Sequence, residues 1–137
     1  NRKNQQFAVC FLDLDVFKPV NDDYGHAVGD KLLCEVSDRL KHVTRGNDTV
    51  ARVGGDEFVT IFNEINSVAD CQVLLDRLLD ELSLPITIGQ NHHQVSASIG
   101  VSLFPNDSNE PEMLLHLADT AMYDAKRQGK SRYHFYN

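Results

Sequence analysis

The hydrophobic pattern opens on Phe7-Ala8-Val9-Cys10-Phe11-Leu12, an unbroken apolar run too short for a buried helix, which ends abruptly in Asp13-Leu14-Asp15. It predicts a central strand. Beyond the turn-rich stretch from Asn21 to His26, Leu32, Leu33, Val36, Leu40 and Val43 recur at helical spacing and predict a helix over about Val28 to Val43 that packs on this strand. Thr49 to Val53 and Glu57 to Phe62 read as antiparallel strands joined through Gly54-Gly55-Asp56, a composition typical of a tight hairpin. A second helix carries Val68, Cys71, Leu75, Leu78, Leu79 and Leu82 on one face and stops near Pro85. Val95, Ala97, Ile99, Val101 and Leu103 alternate with Ser96, Ser98, Gly100 and Ser102, predicting a strand with one strongly apolar face, on which Gly100 permits a close neighbour. A third helix, with Leu114, Leu117, Ala118, Ala121, Met122 and Ala125 on one side, ends in Lys126-Arg127-Gln128-Gly129-Lys130, with Gly129 as its C-cap. A last strand covers Tyr133 to Tyr136. Strands separated by amphipathic helices, plus a hairpin, give an α+β fold with helices covering a mostly antiparallel sheet.

At 137 residues and 42% hydrophobic, the chain fits one domain with a sizeable core. Thirteen Lys and Arg against twenty Asp and Glu leave a net charge of −7, which argues against general affinity for DNA or RNA backbones. A phosphate ligand must therefore be met by local positive charge. Cys10, Cys34 and Cys71 each lie inside apolar runs and read as reduced core thiols of a cytosolic protein. No apolar run is long enough to span a bilayer and no charged-then-apolar leader opens the chain, so a soluble domain without direct membrane contact is expected.

Asp13 and Asp15 end a strand that is otherwise apolar, where an unpaired carboxylate is costly, so something cationic should meet them. Asp56 and Glu57 follow two glycines that let a ligand approach the backbone. These four carboxylates suit a hard cation such as Mg²⁺. Gly-Gly-Asp is also an ordinary hairpin turn and acidic strand ends are common, so spacing alone leaves both readings open.

Arg52-Val53-Gly54-Gly55-Asp56-Glu57-Phe58 contains a Gly-Gly-Asp-Glu-Phe string, and with it the chain resembles the GGDEF family of diguanylate cyclases. The resemblance extends through Asp13-Leu14-Asp15-Val16-Phe17-Lys18-Pro19-Val20-Asn21-Asp22, Tyr24-Gly25-His26 and Gly29-Asp30, then Ala97-Ser98-Ile99-Gly100-Val101 and Ala121-Met122-Tyr123-Asp124-Ala125-Lys126. It runs in the family's order from about Phe7 to Tyr136. The resemblance implies a nucleotidyl-cyclase, palm-like fold and condensation of two GTP molecules into cyclic di-GMP, with pyrophosphate leaving. It implies Asp13, Asp56 and the Leu14 carbonyl as ligands of Mg²⁺, two ions per site, with Mn²⁺ as a possible substitute. Glu57 would assist at the metal, and Asp56 would also act as base for the ribose 3′-hydroxyl. Asn21 and Asp30 would read guanine. Phe17, Gly54 and Gly55 would complete the GTP site, and Lys18, Lys126 and Lys130 would contact phosphates. His26 either lines that pocket or is a turn histidine. For Lys126 and Lys130 the plainer alternative is a cationic helix end complementing the macrodipole.

Arg45-Gly46-Asn47-Asp48 has the form RxxD where many family members bind inhibitory product, although a polar turn with a local ion pair would look the same. Each domain would hold one GTP, so turnover would require a homodimer. Family members usually carry another helix and a DxLTGLxNR-like segment before the first strand, so residues 1–137 read as one GGDEF domain excised from a longer protein with fused sensory or phosphodiesterase domains, cytoplasmic even if that protein is membrane-anchored. Lys130 stands where Arg is frequent and Ser131 where Asn is frequent, and Lys cannot reproduce a bidentate phosphate contact. The competing reading is a catalytically weak GTP- or cyclic di-GMP-binding domain that regulates a phosphodiesterase. Such domains commonly carry a damaged signature, whereas this one is intact.

Overall fold

The computed structural model describes residues 6–15 and 22–136. Strand β1 (Gln6–Leu14) lies at the centre of a five-stranded sheet ordered β2-β3-β1-β6-β7, with β2 Thr49–Arg52, β3 Glu57–Ile65, β6 Ala97–Phe104 and β7 Arg132–Phe135. It pairs antiparallel with β3 and β6, β2 pairs antiparallel with β3, and β7 is the one strand in the sheet that runs parallel to its neighbour, β6. Helices α1 (His26–Val43) and α2 (Val68–Leu82) cover one face, and α3 (Pro111–Arg127) covers the other.

Strand periodicity decides which side chains meet which helix. Ala8, Cys10, Leu12 and Leu14 join Leu32, Val36, Leu40, Leu75 and Leu78 in the core under α1 and α2. Val9 and Phe11 instead join Leu114, Ala118 and Met122 under α3. By the same alternation Asp13 is directed to the α3 side, which is how it comes to face that helix's last turn.

Strand β6 departs from the simple expectation, because its polar positions are buried as well as its apolar ones. Ser102 Oγ donates to the Leu114 carbonyl of α3 at 2.7 Å, and Ser98 Oγ donates to Asp15 at 2.6 Å. Gly100 lies between them. A Cβ there would come within 1.9 Å of the Ala118 carbonyl oxygen, so the glycine is what lets α3 seat on the sheet.

The ends of the helices are held by specific bonds. Ser67 caps α2 by accepting the Asp70 amide at 3.2 Å. Arg39 of α1 reaches the last turn of α2, donating to the carbonyls of Glu81 and Leu82 at 3.0 and 3.4 Å and to that of Pro85 at 2.9 Å. Gly129, at φ 127°, ends α3 as expected: its amide bonds the Lys126 carbonyl and that of Lys130 bonds the Ala125 carbonyl, a Schellman closure.

Two further features differ from the sequence reading. A small antiparallel hairpin, β4 (Ile86–Ile88) and β5 (Asn91–His93), follows α2. Cys34 is exposed rather than a core thiol, because its place on α1 faces away from the buried stripe, whereas Cys10 and Cys71 are buried as expected. No helix of the described residues is long and apolar enough to cross a membrane.

Candidate functional site

The acidic end of β1 is bound to the tip of the β2–β3 hairpin. Asp13 sits opposite Glu57 in the ladder, and the Leu14 amide donates to the Asp56 carbonyl at 3.1 Å. Three carboxylates from two chain regions therefore become neighbours: Asp13, Asp56 and Glu57. The loop between the strands is Val53 to Asp56, closed by the Val53 amide on the Glu57 carbonyl at 3.0 Å. Neither glycine of this loop has a positive φ. Their value is space: a Cβ on Gly54 would come within 2.7 Å of Glu57 Oε1, while Gly55 is open on all sides.

The cation that the acidic strand end required is Lys126, whose Nζ lies 3.3 Å from Asp13 and 3.9 Å from Asp15. Asp15 has a different role from Asp13. Its side chain is 2% exposed and accepts the hydroxyls of Ser96 and Ser98 at 2.7 and 2.6 Å and the Ser131 amide at 3.0 Å. With its lone pairs so committed it braces β1 against β6 and the segment after α3, and it drops out of the expected set of four hard-oxygen donors.

Asp13 is held less comfortably. Burial, and then the negative charges of Asp56 and Glu57, push its carboxyl up to about 6 against the opposing pull of Lys126. Negative charge is thus crowded and under-compensated at this point, which is the electrostatic condition a divalent cation relieves. The donor set of Asp13, Asp56 and Glu57 fits a hard, oxygen-preferring ion. Among the described residues no group of three or more Asp, Glu, His or Cys side chains is placed to hold a metal ion as it stands, so the fit is one of donor chemistry and not of present geometry.

A raised carboxyl pKa means the folded metal-free domain binds the extra proton, so this group's stabilising contribution is complete below the ordinary carboxyl range and is lost as pH rises through about 6. The metal-free domain should lose melting temperature across that window, and Asp13→Asn should flatten the profile. A wild-type profile that is already flat between pH ~4 and ~7 would remove the crowded-carboxylate description.

Beside the hairpin lies a cavity of about 400 Å³, lined by Asp30, Leu33, Cys34, Ser37, Arg52 and Phe58. Four of these project from one stripe of α1 at helical spacing. Arg52 comes from β2, and its Nε donates to the carbonyls of Gly54 and Gly55 at 3.0 and 3.1 Å, so it also fixes the signature turn. Sequence reasoning singled out Asp30 alone in this cavity. The signal for Arg52 was its position two residues before Gly54, at the base of a hairpin whose carbonyls need donors. Cys34 on the wall should be the one thiol that reacts with a maleimide in the native protein. Burial pushes the Cys71 thiol up to about 12 and the Cys10 thiol well above its ordinary value. Peptide mapping that found Cys10 or Cys71 labelled first would contradict this.

Lys130 is exposed beyond α3 with φ 64°, and His26 is the exposed first residue of α1. Phe17, Lys18 and Asn21 lie outside the described residues. Arg45 and Asp48 are folded onto each other at 3.2 Å; Asp48 also accepts the Arg45 amide and the Asn63 amide, each at 2.8 Å, and Arg45 donates to the Asn63 carbonyl. The ion pair of the plainer reading is therefore present.

A family model described as diguanylate cyclase, GGDEF domain, matches residues 1–132. The chain belongs to the GGDEF family. Over 135 residues it is 46% identical to the bifunctional diguanylate cyclase/cyclic di-GMP phosphodiesterase MucR of Pseudomonas aeruginosa, a match covering 98% of this chain and 20% of MucR. It is 40% identical over 131 residues to diguanylate cyclase TpbB of the same organism, covering 95% of this chain and 30% of TpbB. The crystal structure of the TpbB GGDEF domain superposes with a TM-score of 0.95 at 38% identity, covering all of this chain and 86% of that one. The GGDEF domain of DgcB from Caulobacter crescentus, solved in complex with c-di-GMP, is 26% identical with a TM-score of 0.86, covering 98% of this chain and 80% of that one. The chain thus spans a third or less of the curated relatives MucR and TpbB.

Proposed function

We propose that this GGDEF domain is a diguanylate cyclase that joins two GTP molecules into cyclic di-GMP and releases two pyrophosphates. The observation that carries the reading is the neighbouring set of Asp13, Asp56 and Glu57 at a glycine-opened hairpin tip, with its negative charge under-compensated. Asp13, Asp56, Glu57 and the Leu14 carbonyl would hold Mg²⁺, two ions or the equivalent Mn²⁺. Bound there, the metal supplies charge neutralisation of the triphosphate and polarisation of the attacking oxygen.

The chain's own residues do the rest. Asp56 takes the proton of the 3′-hydroxyl of one GTP as its oxygen bonds to the α-phosphorus of the other and the bond to pyrophosphate breaks. Asn21 and Asp30 read the base, with Phe17 and His26 beside it. Gly54 and Gly55 leave room for the phosphates, and Lys18, Lys126 and Lys130 meet their charge. Lys126 would exchange its hold on Asp13 for the nucleotide once a cation replaces it there. Two domains facing each other as a homodimer bring the two half-sites together, and the reaction occurs twice. A cytoplasmic setting, as part of a longer protein with sensory or phosphodiesterase domains, supplies the GTP this reading needs.

Incubation of concentrated protein with GTP and Mg²⁺, followed by chromatography, should yield cyclic di-GMP. Binding of GTP without product would instead support the second reading, a regulatory nucleotide-binding domain, which the chain's 38% identity over 135 residues to the cyclic di-GMP phosphodiesterase NbdA of Pseudomonas aeruginosa favours.

Product inhibition at Arg45 and Asp48 forms part of the proposal. A guanidinium can fork onto a phosphate while a carboxylate accepts guanine N–H donors, and cyclic di-GMP offers both. Here the ligand must compete with the Arg45–Asp48–Asn63 bonds, so binding should be weaker than to an open arginine. Arg45→Ala should lower cyclic di-GMP affinity at least ~10-fold by calorimetry, since charged hydrogen bonds are lost, and leave GTP affinity unchanged. Equal affinity in both proteins would leave the pair as a surface turn.

A further inference from the structure

The cavity between α1 and the hairpin has a charged group on each side. Asp30 enters from the helix and Arg52 from the strand, above a floor made by Leu33 and Phe58, which are 5% and 1% exposed. Among the described residues Asp30 engages no side chain or backbone group, and Arg52 is engaged only through Nε. Among the described residues the terminal guanidinium nitrogens of Arg52 are therefore uncommitted, and the arginine is held at its root by the Gly54 and Gly55 carbonyls. Such a group is pre-oriented at little entropic cost.

The requirements of this wall are specific. An acceptor on one side and a planar two-donor fork on the other suit a flat ligand with N–H donors on one edge and a pair of acceptors on the next. Guanine has this pattern: its N1–H and N2–H₂ groups match a carboxylate, and its O6 and N7 match an arginine fork. Adenine places an amino donor where O6 would be, which would set donor against donor and leave the arginine fork unpaired.

We propose that Arg52 is a specificity-determining residue that reads O6 and N7 of the guanine whose N–H edge faces Asp30. This rests on the reading of GTP as substrate and adds to it a second reader of the base. Because Nε of the same arginine holds the Gly54 and Gly55 carbonyls, base recognition and the shape of the turn carrying Asp56 are joined through one side chain. A correctly seated guanine thereby steadies the turn at the reacting end of the nucleotide.

Dideoxynucleoside triphosphates lack the attacking hydroxyl, so binding can be measured by calorimetry without turnover. The unmodified protein should bind ddGTP more tightly than ddATP, and 7-deaza-ddGTP, which lacks the N7 acceptor, roughly 10-fold less tightly than ddGTP. In Arg52→Lys, which cannot form the fork, ddGTP should weaken by a similar factor and the 7-deaza penalty should disappear. The penalty for ddITP, which lacks the 2-amino group facing Asp30, should persist in that variant. Equal binding of ddGTP and 7-deaza-ddGTP by the unmodified protein overturns the inference without reference to any variant. So does an Arg52→Lys protein that loses ddGTP and ddATP equally, which would make Arg52 a phosphate contact. A protein that does not prefer ddGTP to ddATP would fail the underlying guanine-nucleotide reading itself, a separate and recognisable result.

Discussion

Asp56→Asn should lower cyclic di-GMP synthesis by at least ~10²-fold while leaving the melting temperature close to that of the unmodified protein. The substitution keeps size and removes charge. What ties the hairpin tip to β1 is the Asp56 carbonyl, which accepts the Leu14 amide at 3.1 Å, and that bond is indifferent to the side chain. The electrostatic consequence falls on Asp13. After burial itself, the charge of Asp56 is the largest influence raising the Asp13 carboxyl, so removing it should lower that pKa and relieve the metal-free fold. Catalysis would be lost because the carboxylate proposed both to hold Mg²⁺ and to accept the 3′-hydroxyl proton is gone. Product chromatography beside a thermal melt checks the two halves independently. An active variant would remove Asp56 from the chemistry, and one that unfolds would make its side chain structural.

Much of this arrangement was legible in the sequence because it rests on strong periodicity. β1 shows itself as an apolar run cut off by two aspartates, and all three helices carry stripes that the structure largely buries, with Val68 at the start of α2 left exposed. The requirement for a cation at Asp13 and Asp15 followed from the cost of leaving them unpaired, and Lys126 meets it. What separated those two aspartates was not legible in the apolar pattern, and only the family resemblance set Asp13 apart, as an implied metal ligand. The register sets Asp13 beside the hairpin and brings Ser96 and Ser98 to Asp15, and nothing in the local apolar pattern tells the carboxylate that braces β1 from the one left facing the hairpin.

The β4–β5 hairpin escaped for another reason. Strands of three residues, one of them Asn91-His92-His93, are too short and too polar to show a period, and only Gly89 at φ 62° marks the turn. Cys34 misled because Leu32 and Leu33 precede it, although the helical repeat places it with Asp30 and Ser37 on the cavity side. The turn from Arg45 to Asp48 presents the opposite difficulty: an ion pair that is satisfied within the free protein and a ligand site that must open it have the same sequence.

Gly100→Ala should be the most destabilising single-methyl change in the domain, lowering the melting temperature by at least about 10 °C if the protein folds at all. The reason lies in what the added carbon would meet. Its neighbours would be the Ala118 carbonyl oxygen at 1.9 Å, the Met122 amide nitrogen at 2.1 Å and the Ala121 carbonyl carbon at 2.8 Å. All three belong to the backbone of α3, so no side-chain rotation can make room and the helix itself must lift from β6. Lifting α3 breaks more than packing. Ser102 would lose the Leu114 carbonyl, and Lys126, one turn beyond Met122, would be drawn away from Asp13 and Asp15. Asp13 would then be left among Asp56 and Glu57 without its counter-charge, so any folded fraction should also lose activity out of proportion to its population. Gly55→Ala provides the control, since an added carbon there meets nothing within 4 Å and should leave the melt unchanged. Equal melting curves for Gly100→Ala and the unmodified protein would mean that α3 does not seat on β6 as described, and the placement of Lys126 beside Asp13 would fall with it.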